Sequence, residues 1–259
     1  MTQRTLRLWQ GKVETIVTVY GQGPPVVYLH GPWGLDADQP FLEALAASHT
    51  VYAPLFPGAN PGDPDAIHQI DDWLDVVIYH GELLDALELQ AAAIAGHSFG
   101  GMVACEFAAA LPGRVTKLAL IDPLGLWRDE TPVRNWMIMG PEELAKALFA
   151  SPRSSQATAF FPTPAEPARL ASFIWTQACT GKFVWPIPDK GLRKRIHRVR
   201  APALVIWGET DRLAAPAYAA ELSRGLIDAR TELVADAGHL PQVEHPSKVA
   251  RLVSSFLNG

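Results

Sequence analysis

The chain is expected to fold as an α/β protein, a mostly parallel central sheet flanked by helices, and three observations predict this. Strand-length runs such as Val26-Val27-Tyr28-Leu29 and Ala203 to Trp207 are apolar at every position. A strand of that kind is buried on both faces, as in a parallel sheet covered by helices. These runs alternate with segments whose apolar residues recur at helical spacing. Finally, 259 residues, 48% apolar and 19% charged, are enough for one large core with an insertion.

In order, Arg4–Trp9 and Val13–Tyr20 read as strands joined at a Gln-Gly turn, and Gly21 to Pro24 as a second turn. Val26–Leu29 is the first wholly apolar strand. Phe41, Leu42, Leu45 and Ala46 then recur at helical spacing, and Thr50–Pro54 is the next strand. A Pro/Gly/Asp loop over 57–65 leads to an amphipathic helix. Its stripe is Ile70, Trp73, Leu74, Val77, Leu84 and Leu87, with Asp71, Asp72, Asp75 and Glu82 outside. Ala91–Ala95 is a buried strand and Met102–Ala110 a helix, followed by a strand at Lys117–Ile121. After a middle section come Ala203–Trp207, a helix from about Pro216, Thr231–Val234 and a last helix from Pro246. That helix carries apolar residues at Val249, Leu252, Val253, Phe256 and Leu257.

The middle section breaks the rhythm. Between 123 and 190 lie nine of the 22 prolines and four of the eight tryptophans, which reads as short helices with Pro-marked ends. Because it sits between two core strands it is an insertion. The expected division is therefore a core of 1–122 and 191–259 with a helical insertion at 123–190. The basic run Lys190 to Arg200 reads as a solvated helix leading into Ala203–Trp207.

A net charge of −5 argues against nucleic acid or an anionic membrane surface as a main partner. Cys105 and Cys179 lack metal-ligand spacing, and Cys105 is expected to be a small buried residue. The opening MTQRTLRLW has no signal-peptide core, and no apolar stretch is long enough to span a bilayer. A cytoplasmic location, no membrane association and a monomer or homodimer are the expectations. Asp63, Asp65, His68, Asp71 and Asp72 suggest a polar loop capping a helix more than a metal site, and no metal is expected.

The chemistry centres on Gly96-His97-Ser98-Phe99-Gly100-Gly101, a G-x-S-x-G between an apolar strand and a helix. At such a turn the glycines admit a close chain crossing, and the serine hydroxyl is thrust out at the sheet edge. Serine attacks an electrophile only when a base takes its proton and an anionic group orients the base. Asp211, in Trp207-Gly208-Glu209-Thr210-Asp211, and His239, in Ala237-Gly238-His239, each follow a strand and come in the chain order Ser, Asp, His. Asp122, which also ends a strand, is the alternative acid. The remaining histidines have no comparable partner pattern.

On these segments, together with His30-Gly31-Pro32-Trp33-Gly34, the chain resembles α/β-hydrolase-fold serine hydrolases over nearly its whole length. The resemblance implies Ser98 as nucleophile, Asp211 as acid, His239 as base and the 123–190 insertion as a cap. It implies an oxyanion hole built from the backbone N–H of Phe99 and a second N–H directly after the His-Gly pair. That position is Pro32, which has no N–H, so Trp33 is the expected second donor. No cofactor is called for.

The cap is expected to set the substrate, with Trp127, Trp136, Met137, Phe161, Trp175 and Trp185 as lining candidates alongside Met139, Phe160, Phe173 and Phe183. No Arg or Lys stands out as a carboxylate clamp. The expected partner is therefore a small-molecule substrate, a small to medium, partly hydrophobic carboxylic ester cleaved through an acyl-serine. The alternatives are carbon–carbon bond hydrolysis of ring-cleavage dienones, or lactonase or perhydrolase chemistry on the same triad. Dienone hydrolases usually carry an aromatic residue after the catalytic His, where this chain has Leu240.

Overall fold

The structure is a computed structural model describing residues 1–259. Its centre is an eight-stranded sheet in the order β1-β2-β4-β3-β5-β6-β7-β8. The strands are β1 (Thr2–Leu8), β2 (Val13–Tyr20), β3 (Pro25–Leu29), β4 (Thr50–Pro54), β5 (Ala92–His97), β6 (Val115–Ile121), β7 (Ala203–Gly208) and β8 (Ala229–Val234). β2 runs antiparallel to β1 and β4, and every other pairing is parallel. The first hairpin ends where Trp9, Gln10 and Gly11 all take positive φ, so β1 stops at Leu8, one residue before the sequence suggests.

The continuous apolar strands have the predicted cause. Alternate residues of one strand feed two hydrophobic layers, Val27 and Leu29 on one face and Val26 and Tyr28 on the other. α1 (Gln39–Leu45) and α9 (Pro246–Asn258) cover the second face with Phe41, Leu42, Leu45, Val249 and Val253, all fully buried. Each such side chain contributes roughly 1.5–3 kcal/mol of burial free energy. α2 (Trp73–Ala86), α3 (Phe99–Ala110) and α7 (Ala217–Gly225) cover the first face.

Besides strand ends that shift by a few residues, three elements depart from the sequence reading. Asp72 caps α2 by accepting the Leu74 and Asp75 N–H groups, so the helix starts at Trp73. Leu74 lies on the outer face of the helix, 65% exposed, and Ile70 is buried ahead of it. α3 begins at Phe99 rather than Met102, directly after the serine. The basic run forms no regular helix. It makes two 3-10 turns, Leu192–Lys194 and Ile196–Arg198. Between them the Arg195 guanidinium is drawn to Glu106, at 2.6 and 2.8 Å.

Between β6 and β7 the chain leaves the sheet and forms α4 (Pro141–Leu148), α5 (Ser155–Phe160) and α6 (Pro167–Val184). α4 and α6 start on prolines, whose missing N–H costs nothing in a first helical turn. α8 (Pro241–Glu244) follows the last strand and leads to α9. Cys105 and Cys179 are both buried and free. No helix is long and apolar enough to cross a membrane. The acidic loop does not converge on a point: Asp63 accepts the Glu14 N–H, Asp72 caps α2 and Asp71 pairs with Lys182.

Candidate active site

The site is built where β5 meets α3. An alanine at Gly100 would place its Cβ 2.1 Å from the Leu29 carbonyl oxygen, and one at Gly96 would sit 2.5 Å from the Gly100 oxygen. Only glycine permits this crossing. The turn forces Ser98 to φ 52°, a strained value for a residue with a Cβ. Backbone hydrogen bonds hold it there. The Ser98 N–H donates to Ile121 at 2.9 Å, and its carbonyl accepts from Met102 and Leu124, each at 3.0 Å. The hydroxyl makes no cap bond to α3.

That hydroxyl lies 2.9 Å from His239 Nε2, and His239 Nδ1 lies 2.7 Å from Asp211 Oδ2. The other Asp211 oxygen accepts the N–H groups of Leu213 (2.8 Å) and Ala214 (3.0 Å). With a carboxylate on Nδ1, the imidazole carries its proton there and turns the Nε2 lone pair to the serine; this tautomer follows from the network. Three segments far apart in sequence thus form one chain of hydrogen bonds, and Ser98 and His239 are fully buried. The two loops bearing Asp211 and His239 touch backbone to backbone, since a Cβ at Gly208 would fall 1.9 Å from the Gly238 oxygen. The His239 N–H is tied to the Leu148 carbonyl at 2.7 Å, so the end of α4 helps fix the base.

The alternative acid, Asp122, is also here. Its Oδ1 accepts the Gly208 N–H at 3.0 Å, but the imidazole is held by Asp211. His97 is a neighbour the sequence reading passed over: its Nε2–H donates to the His239 carbonyl at 2.9 Å. Burial, then the adjacent His239, push His97 well below the usual histidine range, so it is a neutral brace. Glu244 also braces the base loop, accepting the Gly238 and Ala150 N–H groups. A buried histidine beside the serine had its signal in the motif itself; Glu244 had none.

Phe99 opens α3, where N–H groups have no intrahelical acceptor and the helix dipole favours an anion. The Trp33 N–H donates to no acceptor in the protein. The Trp33 indole stands over the site, 6.0 Å from the His239 ring, 5.9 Å from Phe160 and 6.4 Å from Trp136, with its own Nε1 buried and unpartnered.

Beyond these rings lies an apolar cavity of about 440 Å³, lined by Trp136, Met137, Leu144, Phe161 and Phe173, with Gln177 as a polar wall. Met139 also lines it, while the other five candidates are elsewhere: Phe160 lines the neighbouring 150 Å³ cavity and Phe183 packs on Phe56, Trp73 and Phe99. The Trp127 Nε1 bonds Asp129 in a polar surface cleft. Trp175 donates to the Pro64 carbonyl from the outer side of α6, and Trp185 is half exposed just past its end. Trp175 sits on the side of α6 that meets Pro64, and Trp127 and Trp185 lie in the irregular segments before α4 and after α6.

A family model described as "Alpha/beta hydrolase family" matches residues 26–252. The chain is 28% identical to "2-hydroxy-6-oxononadienedioate/2-hydroxy-6-oxononatrienedioate hydrolase 2" of Pseudomonas putida, over 94% of this chain and 87% of that protein. It is likewise 28% identical to "Pimeloyl-[acyl-carrier protein] methyl ester esterase" of Aromatoleum aromaticum, over 91% of this chain and 99% of that protein. Among solved structures it is similar to a meta-cleavage product hydrolase from Pseudomonas fluorescens. The TM-score is 0.79 at 20% identity, covering 98% of this chain and 97% of that one.

Proposed function

Since this chain belongs to the alpha/beta hydrolase family, as a serine hydrolase, we propose that it cleaves small to medium, partly hydrophobic carboxylic esters through an acyl-serine intermediate. The observation that carries the reading is the unbroken relay from Ser98 Oγ through His239 to Asp211.

In this reading Ser98 Oγ attacks the ester carbonyl carbon while His239 Nε2 takes its proton. Asp211 stabilises the imidazolium. The oxyanion is met by the N–H groups of Phe99, at the start of α3, and Trp33, which has no acceptor in the protein. As the C–O bond breaks, His239 returns the proton to the departing alcohol, leaving an acyl-serine. Water then enters, gives a proton to His239 and attacks the acyl carbon. The proton passes to Ser98 Oγ as the acid leaves. The helices between β6 and β7 act as a cap, and the cavity lined by Trp136, Met137 and Phe161 takes the apolar part of the substrate.

The second reading, carbon–carbon bond hydrolysis, is favoured by the name of the P. putida relative. Two features of this chain weigh toward the ester. A dienedioate carries two carboxylates, yet no Lys or Arg lines the 440 Å³ cavity. Arg212, next to Asp211, is spent on the Lys146 and Phe149 carbonyls, and Arg169 lines a separate 150 Å³ cavity. Its guanidinium is occupied by Glu166 and by the Ala159 and Phe160 carbonyls.

A fluorophosphonate probe should label Ser98 in the wild type and not in Ser98→Ala. Turnover is then compared across p-nitrophenyl esters, lactones and one ring-cleavage dienone. A dienone rate far above every ester would replace the ester reading with the second one.

A further inference from the structure

Asp122 is fully buried at the end of β6, at φ 41°, and the proposed reaction gives it no task. Its Oδ1 accepts the Gly208 N–H, while its Oδ2 is buried with no partner. One oxygen each of Asp122 and Asp211 and one ring nitrogen of His239 lie within 4.8 Å of one another. Two ionised carboxylates in one buried site, beside a neutral imidazole, repel each other and forfeit hydration. A proton on Asp122 Oδ2 relieves both: it removes one charge and turns the orphan acceptor into a donor facing a carboxylate. The proton belongs on Asp122 rather than Asp211, because Asp211 receives three N–H donors and Asp122 only one.

We propose that Asp122 is a positioning residue that remains a neutral carboxylic acid through turnover. Its Oδ2–H donates to the Asp211 carboxylate, so the pair carries a single negative charge and Asp211 stays aimed at His239 Nδ1. Burial, first, and the Asp211 charge, second, hold the Asp122 carboxyl well above the usual carboxylate range. Glu244, from α8, pushes in the same direction. The other titratable groups beside the pair are His239 and, with its ring tilted 5.3 Å from that of His239, the neutral His97 of β5. The inference rests on the triad reading above.

Two measurements test it. In enzyme labelled with [4-13C]aspartate, one carboxyl carbon should show the shift of a neutral acid at pH 8, where Asp38, pushed up by burial to about 6, is ionised. That signal should vanish in Asp122→Asn. The pH profile of kcat/KM on p-nitrophenyl butyrate is then compared among wild type, Asp122→Ala and Asp122→Asn. Alanine removes both bonds and should lower kcat about tenfold or more at unchanged KM. Asparagine tolerates left-handed backbone, accepts from Gly208 and donates to Asp211. It should recover most of that loss and keep the acid-limb midpoint within about 0.3 unit of wild type. Were Asp122 ionised, its charge would stabilise the imidazolium, and asparagine would drag the midpoint down by about one unit or more. That drop, or a spectrum with no neutral aspartyl carbon, overturns the proposal. Failure of the probe to label wild-type Ser98 would sink the triad reading instead, and the spectrum would still decide the state of Asp122.

Discussion

Replacing Gly100 with alanine tests the idea that one chain crossing sets both the nucleophile and the oxyanion loop. The added Cβ would lie 2.1 Å from the Leu29 oxygen, 2.4 Å from the Leu29 carbon and 2.6 Å from the His30 oxygen. All three are backbone atoms at the end of β3, so no side chain can swing aside. Reaching ordinary contact requires α3 and the end of β3 to separate by about 1 Å. The segment that moves is the one leading to Trp33, and the segment it moves from carries Ser98 and Phe99. A misplacement of about 1 Å costs about 10²-fold in turnover, and overpacking of this kind costs about 1–3 kcal/mol of stability. Gly113→Ala is the control, because nothing lies within 4 Å of its new Cβ. It should be neutral or stabilising by up to about 1 kcal/mol. The assays are kcat on a p-nitrophenyl ester and the urea midpoint at constant m-value. A Gly100→Ala enzyme that matches Gly113→Ala in both would refute the reasoning.

Ser98→Ala should lower turnover on the order of 10⁶, and Asp211→Asn by roughly 10⁴ through the wrong imidazole tautomer. A near-normal Asp211→Asn beside an inactive Asp122→Asn would exchange the two acids. Ala178→Trp, from the α6 wall of the 440 Å³ cavity, should raise KM for a p-nitrophenyl octanoate about tenfold while leaving the acetate nearly unchanged; equal effects on both esters would show that the acyl chain lies elsewhere. Asp38, buried with Tyr28 and Gln242 on its carboxylate, is raised by desolvation from 3.8 to about 6. Its protonated form therefore stabilises the fold below about pH 4, and that contribution, about 3 kcal/mol, is lost as pH rises through 6. His80, lowered by burial to about 4, acts oppositely, since stability is lost as pH falls from 6.5 toward 4. The two offset one another in wild type. Urea melts of Asp38→Asn should thus gain on wild type by about 3 kcal/mol between pH 4 and 7, and a constant difference across that window would contradict the assignment.

What could be read in the sequence was what depends on local pattern and order. The strands β3, β5 and β7 announce themselves because burial on both faces admits only apolar residues. The triad is legible because the nucleophile turn has a steric signature and its partners follow successive strands. What was hidden depends on distance through space. The strand ends offered Asp122 and Asp211 as alternative acids, but did not show that both, 89 positions apart, approach His239 and each other within 4.8 Å in one buried site. Leu74 and Trp175 lie off the buried faces of α2 and α6 and Trp185 falls just past α6, and which face of a helix is buried depends on what packs against it through space. The Lys190–Arg200 run has helical composition, but Gly191 stands at φ 89° and Arg195 reaches across to Glu106, a contact that lies outside the local pattern.

The backbone strain has a pattern of its own. Non-glycine residues with positive φ occur at Trp9, Gln10, Glu88, Ser98, Asp122 and Asp236. The first two make the β1–β2 turn, and Glu88 follows α2. The remaining three each belong to a segment carrying a member of the site: the nucleophile, the paired acid and the approach to His239. Such conformations cost about 1–3 kcal/mol each and persist only where the surroundings over-determine them. Here the surroundings are the crossings at Gly96, Gly100, Gly208 and Gly238, where a single methyl would strike backbone. The same crossings that permit the strain prevent its release, because relaxing Ser98 would require α3 to part from β3. Stability elsewhere in the two hydrophobic layers is thus what keeps a reactive serine in a conformation it would leave on its own.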